Sequence, residues 1–168
     1  MSTAEDWTKA YARQADADFK TGETLQGQSA VPRCHGLLFL QMTCEKLCKA
    51  HLIAEGTPSQ MLQTSHGYIA KPLPVVIRQQ IAFLGRDVKK MRSVAHAARL
   101  LAQEIEVLSP AVDRNGQRPD DCEYPWQDHS GMLHSPLDWT FQPLHLLTSR
   151  HGRTLLKLVR VAIDRLLT

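Results

Sequence analysis

The longest apolar stretch of the chain, residues 36–53, reads GLLFLQMTCEKLCKAHLI and carries only a few charges. At about 100° of rotation per residue, positions three and four apart share one helical face. The members of that face are Leu37, Leu40, Cys44, Leu47, Cys48 and His51. Phe39, Met42 and Ile53 point the other way. A helix that is apolar on two sides is typical of the centre of a helical bundle. The pattern therefore predicts a central helix that begins near Pro32 and ends near Gly56.

One further helix is predicted before this segment and one after it. Ser2 and Glu5 fit a capping box, which predicts that a first helix begins at Thr3, and Gly22 is a plausible stop. Its apolar stripe repeats every four residues and consists of Trp7, Tyr11, Ala15 and Phe19. After an irregular stretch, apolar residues recur with helical spacing in residues 74–84, which predicts a third helix.

The second half of the chain predicts a fourth helix and a last one. Asp87 is a suitable N-cap for the fourth helix. The apolar positions that follow recur every three or four residues as far as Leu108, where a Ser-Pro pair ends the pattern. The last helix is predicted over residues 139–167, with a break or bend near Gly152.

Between these two helices lies a polar insert, residues 111–136, with few strand signals. An irregular segment of this length inside a compact domain is uncommon and is often functional. We therefore predict an all-α fold: an antiparallel up-and-down bundle of four to five helices, in one domain over residues 1–168, with a long polar insert before the last helix.

Composition limits the classes of function only loosely. The chain has 168 residues, is 43% hydrophobic and carries a net charge of +3, which permits an acidic partner without requiring one. No apolar run is long enough to cross a bilayer, and the N-terminus has no signal-peptide core. The cysteines, Cys34, Cys44, Cys48 and Cys122, form no disulfide framework. We expect a cytoplasmic protein with reduced thiols, no membrane contact and no cofactor.

Three short motifs resemble the HEPN domains of prokaryotes. The central helix resembles that family's acidic-Lys-x-x-Lys-Ala core at Glu45, Lys46, Lys49 and Ala50. The turn Thr64-Ser65-His66-Gly67-Tyr68 follows it after a short loop. Before the last helix, Glu123-Tyr124-Pro125-Trp126 is similar to the family's aromatic-proline loop. Together these motifs cover roughly residues 7–167, and the resemblance implies an antiparallel bundle of four or five helices.

The resemblance also implies a range of functions. Many HEPN proteins are RNA-cleaving toxins or RNA-processing nucleases, with an Arg and a His separated by four to six residues. Here Arg92 and His96 are separated by only three residues, and Arg150 and His151 are adjacent. Members that lack the pair act as partners of nucleotidyltransferases, as in toxin–antitoxin systems, or as nucleotide-binding modules. The resemblance further implies a homodimer.

Arg92, His96 and Arg99 share the polar face of the fourth predicted helix. Arg92 and His96 are weak catalytic candidates, because such a pair could contact an RNA phosphate and move a proton during attack by a 2′-hydroxyl. Arg99 is a binding candidate. The alternative is an ordinary solvated basic face.

The insert supplies further candidates for nucleotide binding. Tyr124 and Trp126 could stack on a base while Arg114 and Arg118 hold a phosphate. Alternatively, the two rings fix the loop to the bundle. A second basic stripe in the last helix, formed by Arg150, Arg153, Lys157 and Arg160, could follow a phosphate backbone or simply face solvent.

Cys44, Cys48 and His51 are weak metal-ligand candidates. Their spacing of i, i+4 and i+7 places three soft ligands on one helical face, and Cys34 or Cys122 could complete a tetrahedral zinc site. The competing interpretation is that the cysteines are buried as small apolar residues.

Weighing these patterns, we expect a HEPN-like binding or regulatory module, dimeric and non-catalytic, that contacts RNA or a nucleotide. The first alternative is a metal-independent RNA endonuclease that uses Arg92 and His96. The second alternative is a metal-binding helical protein.

Overall fold

The structure, a computed structural model, describes residues 2–87, 89–112 and 121–168. The described chain is mostly helical, as predicted. Its elements are α1 (Ala4–Gln26), α2 (Arg33–Ala54), a 3-10 turn (Ser59–Met61), α3 (Pro72–Phe83), α4 (Arg92–Glu106), β1 (Trp126–Gln127), β2 (Leu133–His134), α5 (Gln142–Thr148) and α6 (Arg150–Leu167). These are six α-helices within the described residues, because the predicted last helix is divided in two.

Helix α1 differs from its prediction at both ends. The capping box is formed by Thr3 and Asp6, one residue later than Ser2 and Glu5. Gly22 does not end the helix, which continues to Gln26. Gly22 is buried where α1 packs on α2, and a Cβ added there would lie 3.3 Å from the Cβ of Phe39. This glycine permits the close approach of two helices.

Helix α2 is the central helix that the apolar pattern predicted. It contacts α1, α3, α4 and α6. Leu37, Cys44, Leu47 and Cys48 are each at most 1% exposed, and Ile53 on another side is 2% exposed. The prediction that this helix is buried on more than one side is therefore confirmed.

Helices α3 and α4 are joined by a turn that shifts the start of α4. Gly85, with φ of +64°, ends α3 in a Schellman motif: its N–H donates to the Ala82 carbonyl and the Arg86 N–H donates to the Ile81 carbonyl. The Asp87 carboxylate accepts from the Lys89 N–H at 2.8 Å. Asp87 therefore stabilises the connecting turn, and the prediction that it is the N-cap of α4 is wrong, because that helix begins at Arg92.

The C-terminal end of α4 is anchored to the segment that precedes α3. One Glu106 carboxylate oxygen accepts hydrogen bonds from the backbone N–H groups of Ile69 and Ala70, both at 2.8 Å. This carboxylate is therefore the acceptor for two backbone N–H groups in the segment just before α3.

The polar insert contains a small antiparallel hairpin, in which Trp126 pairs with His134. After it, the chain forms α5 and α6 with one residue between them. The Ser149 hydroxyl donates to the Leu146 carbonyl at 2.6 Å and accepts from the Gly152 N–H at 3.0 Å. The break predicted near Gly152 therefore lies at Ser149, three residues earlier, because the serine hydroxyl serves both helix ends.

Gly152 has its own role at this corner. A Cβ added to it would lie 2.0 Å from the Leu146 carbonyl oxygen and 2.7 Å from the Leu147 Cα. Only glycine permits α6 to pass this close to the end of α5.

The described helices include none whose length and apolar content would let it cross a bilayer.

Candidate nucleic-acid interface

The solvent face of α4 carries a row of polar and cationic side chains. Arg92, His96, Arg99 and Gln103 are spaced by four, three and four residues, so they form one stripe along the helix, and all are exposed. The opposite face is buried and consists of Val94, Ala98, Leu101, Ala102 and Ile105. The burial of that face fixes which side chains of α4 point into solvent.

The connection before α4 adds cations to this stripe. Arg86, Lys89 and Lys90 are exposed in the connection between α3 and α4. We call the combined set the basic face, and its members are Arg86, Lys89, Lys90, Arg92, His96 and Arg99. Residues 71–99 contain seven of the chain's 20 Lys and Arg residues, but Asp87 is the only acidic residue among them. This asymmetry, visible in the sequence, is the signal that could have identified the contribution of the turn.

The charges of the basic face are not neutralised within the described part of the chain. None of the ion pairs found there includes one of its members. Helix α4 also has no acidic residue in its first turn and no side-chain cap. Its N-terminal partial positive charge therefore adds to the potential around Arg92.

The basic stripe of α6 is different, because it is partly neutralised. Arg160 pairs with Asp16 of α1 and with Asp164 one turn along its own helix. The pKa of this guanidinium is raised, chiefly by the hydrogen bond to Asp164. Arg150, Arg153 and Lys157 are exposed. We therefore favour α4 over α6 as a surface for an anionic ligand.

The predicted metal ligands lie mainly in the core. Cys44 and Cys48 are at most 1% exposed, and His51 is half-buried. Burial raises the pKa of the Cys44 thiol to about 12 and raises the pKa of Cys48 as well, so both thiols stay protonated. Desolvation lowers the pKa of His51, although nearby Glu55 opposes the shift. Within the described residues, no three His, Cys, Asp or Glu side chains are placed to hold a metal ion.

The structure describes two of the four nucleotide-binding candidates in the insert, Tyr124 and Trp126. Arg114 and Arg118 lie outside the described residues. Tyr124 is 60% exposed, whereas Trp126 is half-buried and packs against the hydrophobic core.

Trp126 belongs to an aromatic cluster. Its ring stacks on His134, with 5.7 Å between centroids, and meets Trp139 edge-on at 5.4 Å. His134 in turn lies 2.9 Å from an Asp128 carboxylate oxygen. Hydrogen bonds from Ser130 first, and then His134, lower the pKa of Asp128. Trp126 therefore fixes the hairpin to the helices, and Tyr124 is the accessible one of the two candidate rings.

A polar network is buried between α1, α2 and the loop that follows α2. Lys49 Nζ lies 2.7 Å from one Glu45 oxygen, and Gln41 donates to the other at 3.1 Å. His66 Nδ1 lies 3.2 Å from both oxygens. Next to them, Lys46 pairs with Asp18 of α1. The i, i+4 spacing of Glu45 and Lys49 is typical of such a pair, but no local pattern indicates the contact with His66.

Comparisons of the chain with family models, with curated proteins and with solved structures found no match. The residues themselves therefore carry the functional argument.

Proposed function

We propose that the chain is a HEPN-like helical binding or regulatory module that contacts RNA through the basic face. The resemblance supports the antiparallel up-and-down arrangement of its helices, and the cysteine pattern, which predicts reduced thiols, supports a place in the cytoplasm. The observation that carries the RNA contact is the row of exposed cations at and before α4, whose charges have no carboxylate partner within the described residues.

A cationic row of this kind suits a phosphate backbone better than a compact ligand. The cationic part of α4, from Arg92 to Arg99, spans about 10 Å, since an α-helix rises 1.5 Å per residue, and Arg86, Lys89 and Lys90 extend the row before the helix. Consecutive phosphates along a strand can therefore meet successive cations. If the five Lys and Arg residues of the basic face each neutralise one phosphate, the logarithm of the binding constant should fall with the logarithm of salt at a slope of roughly −3.5.

The test is binding of a fluorescently labelled single-stranded RNA as a function of salt. The doubly substituted Arg92→Gln/Arg99→Gln variant should bind more weakly, and its slope should be shallower by about 1.4. A matched control, Arg13→Gln/Lys157→Gln, removes the same charge from exposed positions on α1 and α6. An equal loss of affinity in both variants would show that net charge, and not the basic face, governs binding.

The RNA endonuclease is the alternative, and one observation favours it. Arg92 and His96 are both exposed and lie one turn apart on one helical face. A histidine beside a guanidinium could act as a general base while the cation stabilises developing charge on the phosphate. Three intervening residues let the two side chains meet each other, where the family spacing offsets them around the helix. We therefore expect single-stranded RNA to be cleaved poorly or not at all.

A cleavage assay without divalent metal separates the two functions. Robust cleavage that His96→Ala abolishes, in a variant with an unchanged circular dichroism spectrum, would establish the endonuclease. Binding without cleavage supports the module.

Self-association is part of the proposal, and a nucleotidyltransferase is the other protein partner that the resemblance suggests. Exposed apolar side chains in and after the hairpin support an interface: Met132, Leu133 and Leu137 are each more than 60% exposed. Light scattering at tens of micromolar should find a dimer, and Leu133→Ser should weaken it. A monomeric wild-type chain would contradict this part.

A further inference from the structure

A cleft of about 610 Å³ opens between the connection from α1 to α2, the start of α2, and helices α5 and α6. This volume lies within the range of small-molecule sites. Its apolar lining is aliphatic and includes Leu25, Val31, Leu144, Leu147 and Leu156. The cleft shares no residue with the basic face.

The charged side chains that line the cleft are both cationic. Arg33 comes from the first turn of α2 and Arg153 from the first turns of α6, and no Asp or Glu lines the cleft. Arg153 donates to the Thr148 carbonyl. Neither guanidinium takes part in an ion pair within the described residues, in contrast to Arg160, which has two carboxylate partners.

The beginning of α2 adds to this positive potential. This helix of 22 residues has no acidic residue in its first turn and no side-chain cap. Its N-terminus lies at the cleft, since Pro32, Arg33 and Gly36 line it. The helix dipole therefore favours an anion on the same side as the two guanidinium groups.

We propose that this cleft binds a small aliphatic carboxylate, such as a medium-chain fatty acid. The carboxylate pairs with the guanidinium of Arg33 and Arg153, and the aliphatic chain lies against the leucines. No aromatic ring lines the cleft on which a nucleobase would stack. Inorganic phosphate would leave the apolar wall exposed. An adjoining space of about 410 Å³ shares Val31 and Leu144 with the cleft but is also lined by Asp138 and Trp139, so we place the carboxylate and its chain in the cleft alone.

The test is titration calorimetry of the full chain with decanoate below its micelle concentration, with adenosine monophosphate and inorganic phosphate as separate arms. We expect one decanoate per chain and weaker binding of the other two anions. Arg33→Gln should weaken decanoate binding at least tenfold. Val31→Trp, which places a large ring in the cleft from a connecting segment, should abolish it. Arg150→Gln, which removes a neighbouring charge that does not line the cleft, should leave the affinity within twofold.

Three results would overturn the proposal. The first is decanoate binding that Val31→Trp leaves unchanged, and the second is equal loss in Arg33→Gln and Arg150→Gln. The third is adenosine monophosphate or phosphate binding at least as tightly as decanoate. RNA binding by Val31→Trp, measured in parallel, should equal that of wild type, so failure of the carboxylate site is distinguishable from failure of the RNA proposal.

Discussion

Substitution of Lys49 by methionine tests how much the buried polar network matters. The side chains of Lys49 and Glu45 are only 5% and 9% exposed, and they meet at 2.7 Å. Lys49→Met retains most of the apolar stem but leaves the Glu45 carboxylate buried without its principal cation. Removing one partner of a buried pair typically costs about 3–5 kcal/mol. Gln41 and the 47%-exposed His66 still contact this carboxylate, so we expect a loss near the lower end, about 3 kcal/mol.

Urea denaturation followed by circular dichroism measures this loss. The matched control is Lys20→Met, which breaks an i, i+4 pair of similar length, 2.8 Å, in which the lysine is 65% exposed and the 18%-exposed Asp16 keeps Arg160 as a partner. Exposed pairs contribute about 0–1 kcal/mol, so the control should stay close to wild type. The double variant Glu45→Gln/Lys49→Met removes both charges and should be more stable than Lys49→Met alone. Equal stability of Lys49→Met and Lys20→Met would refute the reasoning that burial makes this pair important.

Three further predictions concern packing and pH. Gly152→Ala should destabilise the fold by about 1–3 kcal/mol in urea denaturation, because its methyl group would meet backbone atoms that cannot rotate away, whereas Gly27→Ala should be nearly neutral. Leu47→Asp should prevent folding, since it places a charge in a fully buried position, and a helical, cooperatively unfolding variant would contradict the assignment of α2 as the central helix. The Cys44 thiol has a pKa of about 12 when folded against an ordinary value of 9.0. The protonated thiol therefore makes its full contribution to the free energy of unfolding below pH 9. This contribution falls by about 1.4 kcal/mol per pH unit as pH rises toward 12. Wild type should accordingly lose more stability than Cys44→Ala between pH 9 and 10.5.

The helical fold was accessible from the sequence because its apolar periodicity is strong. Helix α2 needed only the recurrence of leucine and cysteine to be identified as the central element. The predictions that are wrong concern positions where contacts between helices, and not the local pattern, determine the structure. Gly22 lies next to a polar stretch, where a glycine usually ends a helix, and the sequence therefore predicts a stop there. In the structure it lies inside α1, where packing against Phe39 requires a small residue.

Only part of the candidate interface can be predicted from the sequence, because local periodicity does not encode turns or contacts between distant segments. The spacing of Arg92, His96 and Arg99 was sufficient to place them on one face. The sequence pattern does not reveal the role of Lys89 and Lys90, because it predicts a helix that begins after Asp87, whereas these residues lie in a turn before Arg92. The contact between Glu45 and His66 joins residues 21 positions apart, and no local periodicity encodes such a distance.

The corner between α5 and α6 has a consequence for how the chain can change in length. One residue, Ser149, ends one helix and begins the next, and its hydroxyl bonds to a carbonyl on one side and an N–H on the other. An inserted residue would separate these two partners, so one hydroxyl could no longer reach both helix ends. Natural variation in length should therefore avoid this corner.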